Sequence, residues 1–175
     1  QYMAYKGEVI NGEKLDKYVV GQVGRMDSRG FDLELTYRPI RGLSLTAGYG
    51  YTDTRLRKIA TNPYLDGENL VGKRYAYSPL HSFYVYADYT IREGVLRGLG
   101  FNFDVTYQDE VYRDFSNTST FPSYWMTDAS ISYRLPNRVR LRLNVNNVFN
   151  TDYYNEALDS QYVPGMPRNF LISAA

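Results

Sequence analysis

Apolar and polar side chains alternate one for one along several stretches of this chain, and that period of two restricts its fold more than anything else. Phe31, Leu33, Leu35 and Tyr37 fall on one side of a strand, with Asp32, Glu34 and Thr36 on the other. Leu43, Leu45, Ala47, Tyr49 and Tyr51 alternate with Ser44, Thr46, Gly48 and Gly50. Phe83, Val85, Ala87, Tyr89 and Ile91 oppose Tyr84, Tyr86, Asp88 and Thr90. The pattern returns in Leu99 to Gln108, in Thr127 to Leu135 and in Arg138 to Val145. Helical spacing fits none of these windows, so the chain reads as all-β.

The connections between the runs alternate in length. Strands expected over 19–38 and 43–57 share the tight turn Pro39-Ile40-Arg41-Gly42. Those over 78–93 and 99–113 share Gly94 to Gly98, and those over 121–135 and 138–150 share Pro136-Asn137. The intervening segments 58–77, 114–120 and 151–164 are longer and polar, and a last strand runs to Ala175. Residues 1–18 read as the end of a further strand plus a loop, which gives seven strands and a partial eighth. Short turns at one end and long loops at the other are the asymmetry of an outer-membrane barrel.

The runs reach about 12 or more residues, against a usual strand of about 5–6. Tyrosine, with 19 copies, outnumbers the eight Phe and the single Trp together and gathers at strand ends, as an interfacial girdle requires. These features favour lipid on the apolar side and a watery lumen on the polar side. Asp32, Glu34, Asp88, Asp104 and Asp128, with Arg134, Arg138, Arg140 and Arg142, are then expected to form a ladder of opposite charges across neighbouring strands.

Balanced charge, 20 Lys+Arg against 19 Asp+Glu, removes the case for a nucleic-acid partner. With no Cys and one His there is no thiolate metal site, no cysteine nucleophile and no histidine cluster. His81 reads as a satisfied or solvated imidazole. Asp109 and Glu110 are neighbours in a strand and point to opposite faces, so they cannot act as an acid–base pair. The sequon Asn117-Thr118-Ser119 lies in a loop, and no enzyme is indicated.

Three segments carry a resemblance. Val23-Gly24-Arg25-Met26-Asp27-Ser28-Arg29-Gly30-Phe31-Asp32-Leu33-Glu34 is the first. Leu143-Asn144-Val145-Asn146-Asn147-Val148-Phe149-Asn150-Thr151-Asp152-Tyr153-Tyr154 is the second, and Gly165-Met166-Pro167-Arg168-Asn169-Phe170 is the third. In this order and spacing they resemble the C-terminal portion of a TonB-dependent outer-membrane receptor of the ferric-siderophore branch. The resemblance implies a transmembrane antiparallel β-barrel segment, roughly the last eight strands of a barrel of about 22. Residues 1–175 would be the C-terminal part of that barrel domain, without the family's plug and energy-coupling box. The family's terminal aromatic is not found at Ser173-Ala174-Ala175.

The resemblance further implies capture of a ferric siderophore at the bacterial cell surface and its import across the outer membrane with TonB-coupled energy. Partners would be the chelate, outer-membrane lipid, and TonB through the N-terminal region. Iron would arrive wrapped in its chelator, so no resident cofactor or metal ligand is called for. Ligand contacts are expected among loop residues: Tyr64, Arg74, Tyr75 and Tyr77; Phe115, Tyr124 and Trp125; and Tyr153, Tyr154 and Tyr162. Of these, the Tyr153-Tyr154 pair also reads as packing for the strand-to-loop transition, and Arg168 and Asn146 as anchors of the final hairpin. Two other readings stand beside this one: a small self-contained outer-membrane barrel with a structural or adhesive role, and a receptor of the same family for haem, cobalamin or a glycan.

Overall fold

A computed structural model describes residues 2–5, 9–10, 13–14, 19–22, 24–59, 70–135, 139–158 and 161–175. In chain order the strands are β1 (Tyr2–Tyr5), β2 (Val9–Ile10), β3 (Glu13–Lys14), β4 (Val19–Gln22), β5 (Gly24–Tyr37), β6 (Leu43–Ile59), β7 (His81–Thr90) and β8 (Leu99–Gln108). They continue as β9 (Val111–Tyr112), β10 (Thr120–Phe121), β11 (Tyr124–Arg134), β12 (Arg140–Asn146), β13 (Tyr154–Leu158), β14 (Gln161–Pro164) and β15 (Asn169–Ala174). There is no helix among the described residues.

Seven strands form one antiparallel meander in the order β15-β12-β11-β8-β7-β6-β5. The remaining strands are two-stranded ribbons: β1 with β4, β2 with β3, β9 with β10 and β13 with β14. The pairing of Tyr2–Tyr5 with Val19–Gln22 is where the partial eighth strand was expected. Strands β5 and β15 are the two edges and do not pair with each other, so the described strands are an open segment of wall rather than a closed eight-stranded barrel. The β5–β6 and β7–β8 turns lie at one end of the sheet, and the described parts of the long connections at the other.

The register aligns the alternation across the whole sheet. One continuous row is Tyr37, Leu45, Ala87, Phe103, Ala129, Val145 and Phe170, all on one face. Toward the long loops that face becomes aromatic in the row Leu33, Tyr49, Phe83, Tyr107 and Trp125. No second layer covers it among the described residues: Leu33 is 63% exposed, Leu35 69% and Ile172 78%. Phe31, Phe101 and Leu141 are exposed too. A single sheet with an uncovered apolar face bounded by aromatics has the form of a barrel wall whose outer medium is lipid.

The opposite, lumen face is polar and crossed by hydrogen bonds. Glu34, Gly48 and Tyr84 are direct neighbours on β5, β6 and β7. Tyr84 lies over Gly48 and donates its hydroxyl to Glu34 Oε2 at 2.5 Å, bridging two strands away. A Cβ at position 48 would sit 2.1 Å from the Tyr84 ring, so only glycine leaves room for this crossing. Asn102 donates to the Tyr86 hydroxyl at 2.8 Å and to Asp88, and accepts from Ser130 Oγ at 3.0 Å.

The expected ladder of opposite charges is not formed. Asp104 faces Asp128 in the register, and Arg134 faces Arg140. The acids are met by Tyr84, Asn102 and the Asn147 N–H instead, while arginines gather at the short-turn end. The ion pairs among the described residues are Arg25–Asp27, Arg57–Asp27 and Arg55–Asp53, all toward the long loops. The cause lies in register: alternation fixes which face a charge takes, not which charge it meets.

Several expected strands run past their real ends. Segment 138–150 stops at Asn146, because Asn147 and Asn150 take the left-handed conformation (φ 53° and 54°) and turn the chain. Segment 99–113 stops at Gln108 and resumes as β9, so 114–120 is the tip of a small β9–β10 hairpin. β6 extends to Ile59, and residues 72–75 run alongside its end, with Leu56 N–H donating to Lys73 O and Tyr75 N–H to Thr54 O.

Two pairs of substitutions test this picture in the complete protein. Phe103→Arg, on the apolar face, is expected to cost about 2–4 kcal/mol of folding into bilayers, whereas Thr106→Arg on the lumen face costs much less. Gly48→Ala displaces the Tyr84 ring and lowers the urea midpoint of unfolding; adding Tyr84→Ser to Gly48→Ala recovers part of the loss.

Candidate functional site

The buried apolar side chains are found at the long-loop end. Leu56, Leu70, Ala76, Val111 and Phe121 are each under a tenth exposed, and none lies in the middle of the lipid-facing belt. The long connections thus build a small packed core above the sheet. Side chains in the connecting segments hold them in fixed relation.

Asn117 is the first of these. At φ 55° its side chain turns back on the neighbouring loop, accepting the Arg74 N–H at Oδ1 (2.8 Å) and donating from Nδ2 to Arg74 O (2.9 Å). This pair of hydrogen bonds imitates a strand pairing and clamps segment 109–120 onto segment 70–77. Asp114 shapes the same tip by accepting the Thr118 N–H at 3.0 Å, the Ser119 N–H at 2.9 Å and the Ser119 hydroxyl at 2.8 Å. Burial pushes the Asp114 carboxyl up, but the hydrogen bonds from Thr118 and Ser119 outweigh it and hold the group below its ordinary value.

Arg113 makes the second link. Its Nε donates to Ser119 Oγ at 3.0 Å, and its guanidinium lies 4.7 Å from the Tyr162 ring centre and 5.6 Å from that of Phe121, also donating to the Tyr162 hydroxyl. Phe121 stacks on Tyr154 at 5.0 Å and meets Tyr162 edge-on at 5.6 Å. The β9–β10 and β13–β14 hairpins are joined through this cation–aromatic cluster.

The expected ligand contacts divide accordingly. Tyr75 and Phe115 come together, their rings 5.3 Å apart, while the Arg74 guanidinium lies over Tyr112 at 5.5 Å. Its Nη2 is shielded from solvent with no hydrogen-bond partner among the described residues. Tyr154 and Tyr162 belong to the Arg113 cluster. Tyr124 reaches Gln108 through its hydroxyl at 3.1 Å and meets Tyr153 at 4.9 Å. Tyr153 in turn packs on Gly165, where a Cβ would sit 2.1 Å from the ring, so this tyrosine is built into the wall.

Trp125 is placed apart from the rest, on the apolar face against Tyr107 (4.8 Å) and Phe83 (6.3 Å), as a girdle residue. Tyr77 is exposed in a left-handed turn (φ 61°), and Tyr64 lies outside the described residues. His81 is satisfied, hydrogen-bonded through Nδ1 to the Tyr49 hydroxyl at 2.8 Å. Sequence reasoning passed over Arg113, Asn117 and Phe121; the Asn-Thr-Ser string drew notice only as a sequon.

The final connection is held by Asn147, which is 3% exposed. Its N–H donates to Asp128 Oδ1 at 2.7 Å, its Nδ2 to Thr151 O and Met166 O at 2.9 and 3.1 Å, and its Oδ1 accepts the Thr151 N–H at 2.7 Å. Asn146 donates to Asn169 Oδ1 at 2.8 Å, and the Arg168 N–H donates to Asn150 Oδ1 at 2.9 Å. The second and third recognised segments are thus the two halves of one hydrogen-bonded corner.

Because the folded carboxyl of Asp114 is held low, its contribution is complete above the ordinary aspartate value of about 3.9 and is lost as pH falls through the lower folded value. Amide exchange at Thr118 and Ser119 should therefore be slow at neutral pH, stay protected down through the ordinary aspartate value of about 3.9, and lose its protection, after correction for intrinsic rates, only at lower pH. Asp114→Ala removes that protection at every pH.

Comparison with known proteins fits this arrangement. Residues 2–148 match the family profile described as "TonB dependent receptor-like, beta-barrel". The chain is 31% identical over 135 residues to the ferrioxamine B receptor of Salmonella typhimurium (strain SL1344), covering 75% of this chain and 18% of that protein. It is 33% identical over 153 residues to the metal-pseudopaline receptor CntO of Pseudomonas aeruginosa (strain UCBPP-PA14), covering 86% and 20%. The crystal structure of the siderophore receptor PiuA from Acinetobacter baumannii superposes with a TM-score of 0.74 at 27% identity, over 89% of this chain and 22% of that one. The chain spans about a fifth of the length of the curated relatives it matches. With an open antiparallel wall, one lipid-facing side and a family match over most of its length, this chain belongs to the TonB-dependent receptor β-barrel family.

Proposed function

We propose that residues 1–175 are the C-terminal part of the barrel of an outer-membrane receptor that captures a ferric siderophore at the cell surface and imports it with TonB-coupled energy. The relatives support the cargo class, being named as receptors for ferrioxamine B, for metal-pseudopaline and, in PiuA, for a siderophore. The observation that carries the reading is the clamped mouth at the long-loop end. Arg74, Tyr75 and Phe115 are held there by Asn117, next to a second aromatic cluster around Arg113.

A ferric chelate is large, rich in oxygen and often aromatic or anionic. A guanidinium near a tilted pair of rings offers charge-assisted donors and apolar contact to such a ligand. Arg74 would donate to chelate oxygens, and Tyr75 and Phe115 would pack against its body. Asn117 already ties these segments together, so less ordering would be needed on binding. No proton transfer or bond cleavage is part of the activity, and the chain's role is recognition and passage.

The test is binding of ferric hydroxamate and ferric catecholate chelates to cells displaying the full-length receptor. Arg74→Ala should weaken the bound chelate about tenfold, the loss of one charge-assisted contact. Deletion of 58–77 together with 151–164 should abolish binding while the barrel still assembles. Undiminished binding after both deletions would place the site elsewhere.

A further inference from the structure

The β5–β6 and β7–β8 turns carry apolar tips among uncompensated positive charge. Segment 38–42 contributes Arg38, Ile40 and Arg41, and segment 91–98 contributes Arg92, Val95, Leu96 and Arg97, with Glu93 as the one acid in the two turns. All of these side chains are exposed, Val95 at 96%. None of the four arginines has an ion-pair partner among the described residues.

The two turns are held side by side. Thr90 N–H donates to Gly42 O at 2.8 Å. A Cβ at Gly42 (φ 87°) would come 2.2 Å from Thr90 O and 3.3 Å from Arg92 Cγ, so the second turn packs closely on the first. Both tips also continue the lipid-facing belt. Leu43 N–H donates to Ile40 O at 3.2 Å and Leu99 N–H to Leu96 O at 3.0 Å, so each tip stands one turn beyond a belt residue. The last rows of the belt at this end include Tyr37, Tyr89 and Tyr133, placed as an interfacial girdle. Three residues span at most about 10 Å, and the polar layer on each side of a bilayer is about 5–8 Å deep.

We infer that this pair of turns is a docking surface for the headgroups of anionic phospholipids in the leaflet at the short-turn end. Ile40, Val95 and Leu96 enter the boundary between headgroups and acyl chains, and the arginines beside them bind lipid phosphates. The inference goes beyond the siderophore reading and rests only on the lipid-facing belt. Continuity of the tips with that belt favours lipid over a soluble acidic partner. The apolar side chains between the arginines favour it over a free anion, which would leave them in water. Arg92 and Arg97 also border a concavity on the lumen side, whereas Arg38 and Arg41 do not, so substituting the latter two isolates the lipid contact.

The experiment uses the full-length receptor with the photo-crosslinker p-benzoylphenylalanine in place of Val95. It is placed in vesicles of phosphatidylethanolamine containing about one-fifth phosphatidylglycerol. After irradiation, mass spectrometry of the labelled peptide should show phosphatidylglycerol adducts enriched about fivefold over their share of the bilayer, the attraction of one arginine near an anionic surface. Arg38→Gln with Arg41→Gln should lower that enrichment at least about twofold, while Arg38→Lys with Arg41→Lys should keep most of it. Should the Gln variant fail to assemble, about 1 M NaCl should remove the wild type's enrichment, since the screening length falls to about 3 Å. Adducts in the bilayer's own proportions, no lipid adduct, or enrichment that survives both the Gln pair and salt overturns the proposal. So does cross-linking to another protein alone. Loss of enrichment on adding inorganic phosphate at matched ionic strength marks a free-anion site and overturns it too. Chelate binding is not read in this assay, so its outcome is separate from that of the siderophore test.

Discussion

The physical constraint on which the rest depends is that one sheet must satisfy its backbone sideways while its two faces meet different media. Strand-to-strand hydrogen bonds take care of the peptide groups without any covering layer, provided every strand has neighbours. That frees the side chains to sort by face alone, and they do so in rows running across the meander, as from Tyr37 to Phe170. A soluble protein could not leave Leu33, Leu35, Phe170 and Ile172 so exposed on one surface. The same arrangement explains why the buried apolar side chains lie at the long-loop end: the wall itself has no interior in which to bury them.

On the lumen face the balance is struck by uncharged bridges more than by ion pairs. Tyr84 reaches across Gly48 to Glu34, and Asn102 serves Asp88, Tyr86 and Ser130 together. A hydroxyl or amide can satisfy a carboxylate at whatever register the neighbouring strands adopt, whereas a salt bridge needs the opposite charge in one particular row. The acids along the wall and the arginines at its foot are therefore left as separate bands.

What could be read in advance follows from how local each feature is. Alternation gave the faces and the meander, because a strand's side-chain direction depends only on its own residues. Loop-length asymmetry gave the two ends of the wall. The ends of strands were less legible, since Asn147 and Asn150 stop β12 through left-handed turns, and these depend on partners as distant as Asp128 and Met166. The recognised Asn-rich segment was visible as a string, but its reason, a side chain that caps both the turn and the final connection, was not. Arg113 and Asn117 were hidden for the same cause: their roles are contacts over 49 and 43 positions of sequence. Trp125 was misplaced for the opposite reason, because its nearness to a loop outweighed its place in the period-two pattern.

These long-range clamps bear on how the mouth can work. Loops that lie outside a bilayer gain nothing from lipid and must supply their own order, or pay for it when a ligand arrives. Here Asn117 gives one loop backbone the partners that a strand would give it, and Arg113 sits between rings from two hairpins. The order is thus supplied by side chains and does not require a longer strand, which would have straightened the loops and flattened the surface. Such a mouth presents a fixed array of rings and guanidinium groups, while the wall below remains a regular sheet whose geometry the loops do not disturb. Changes confined to the loop contacts would leave the strand register below them untouched.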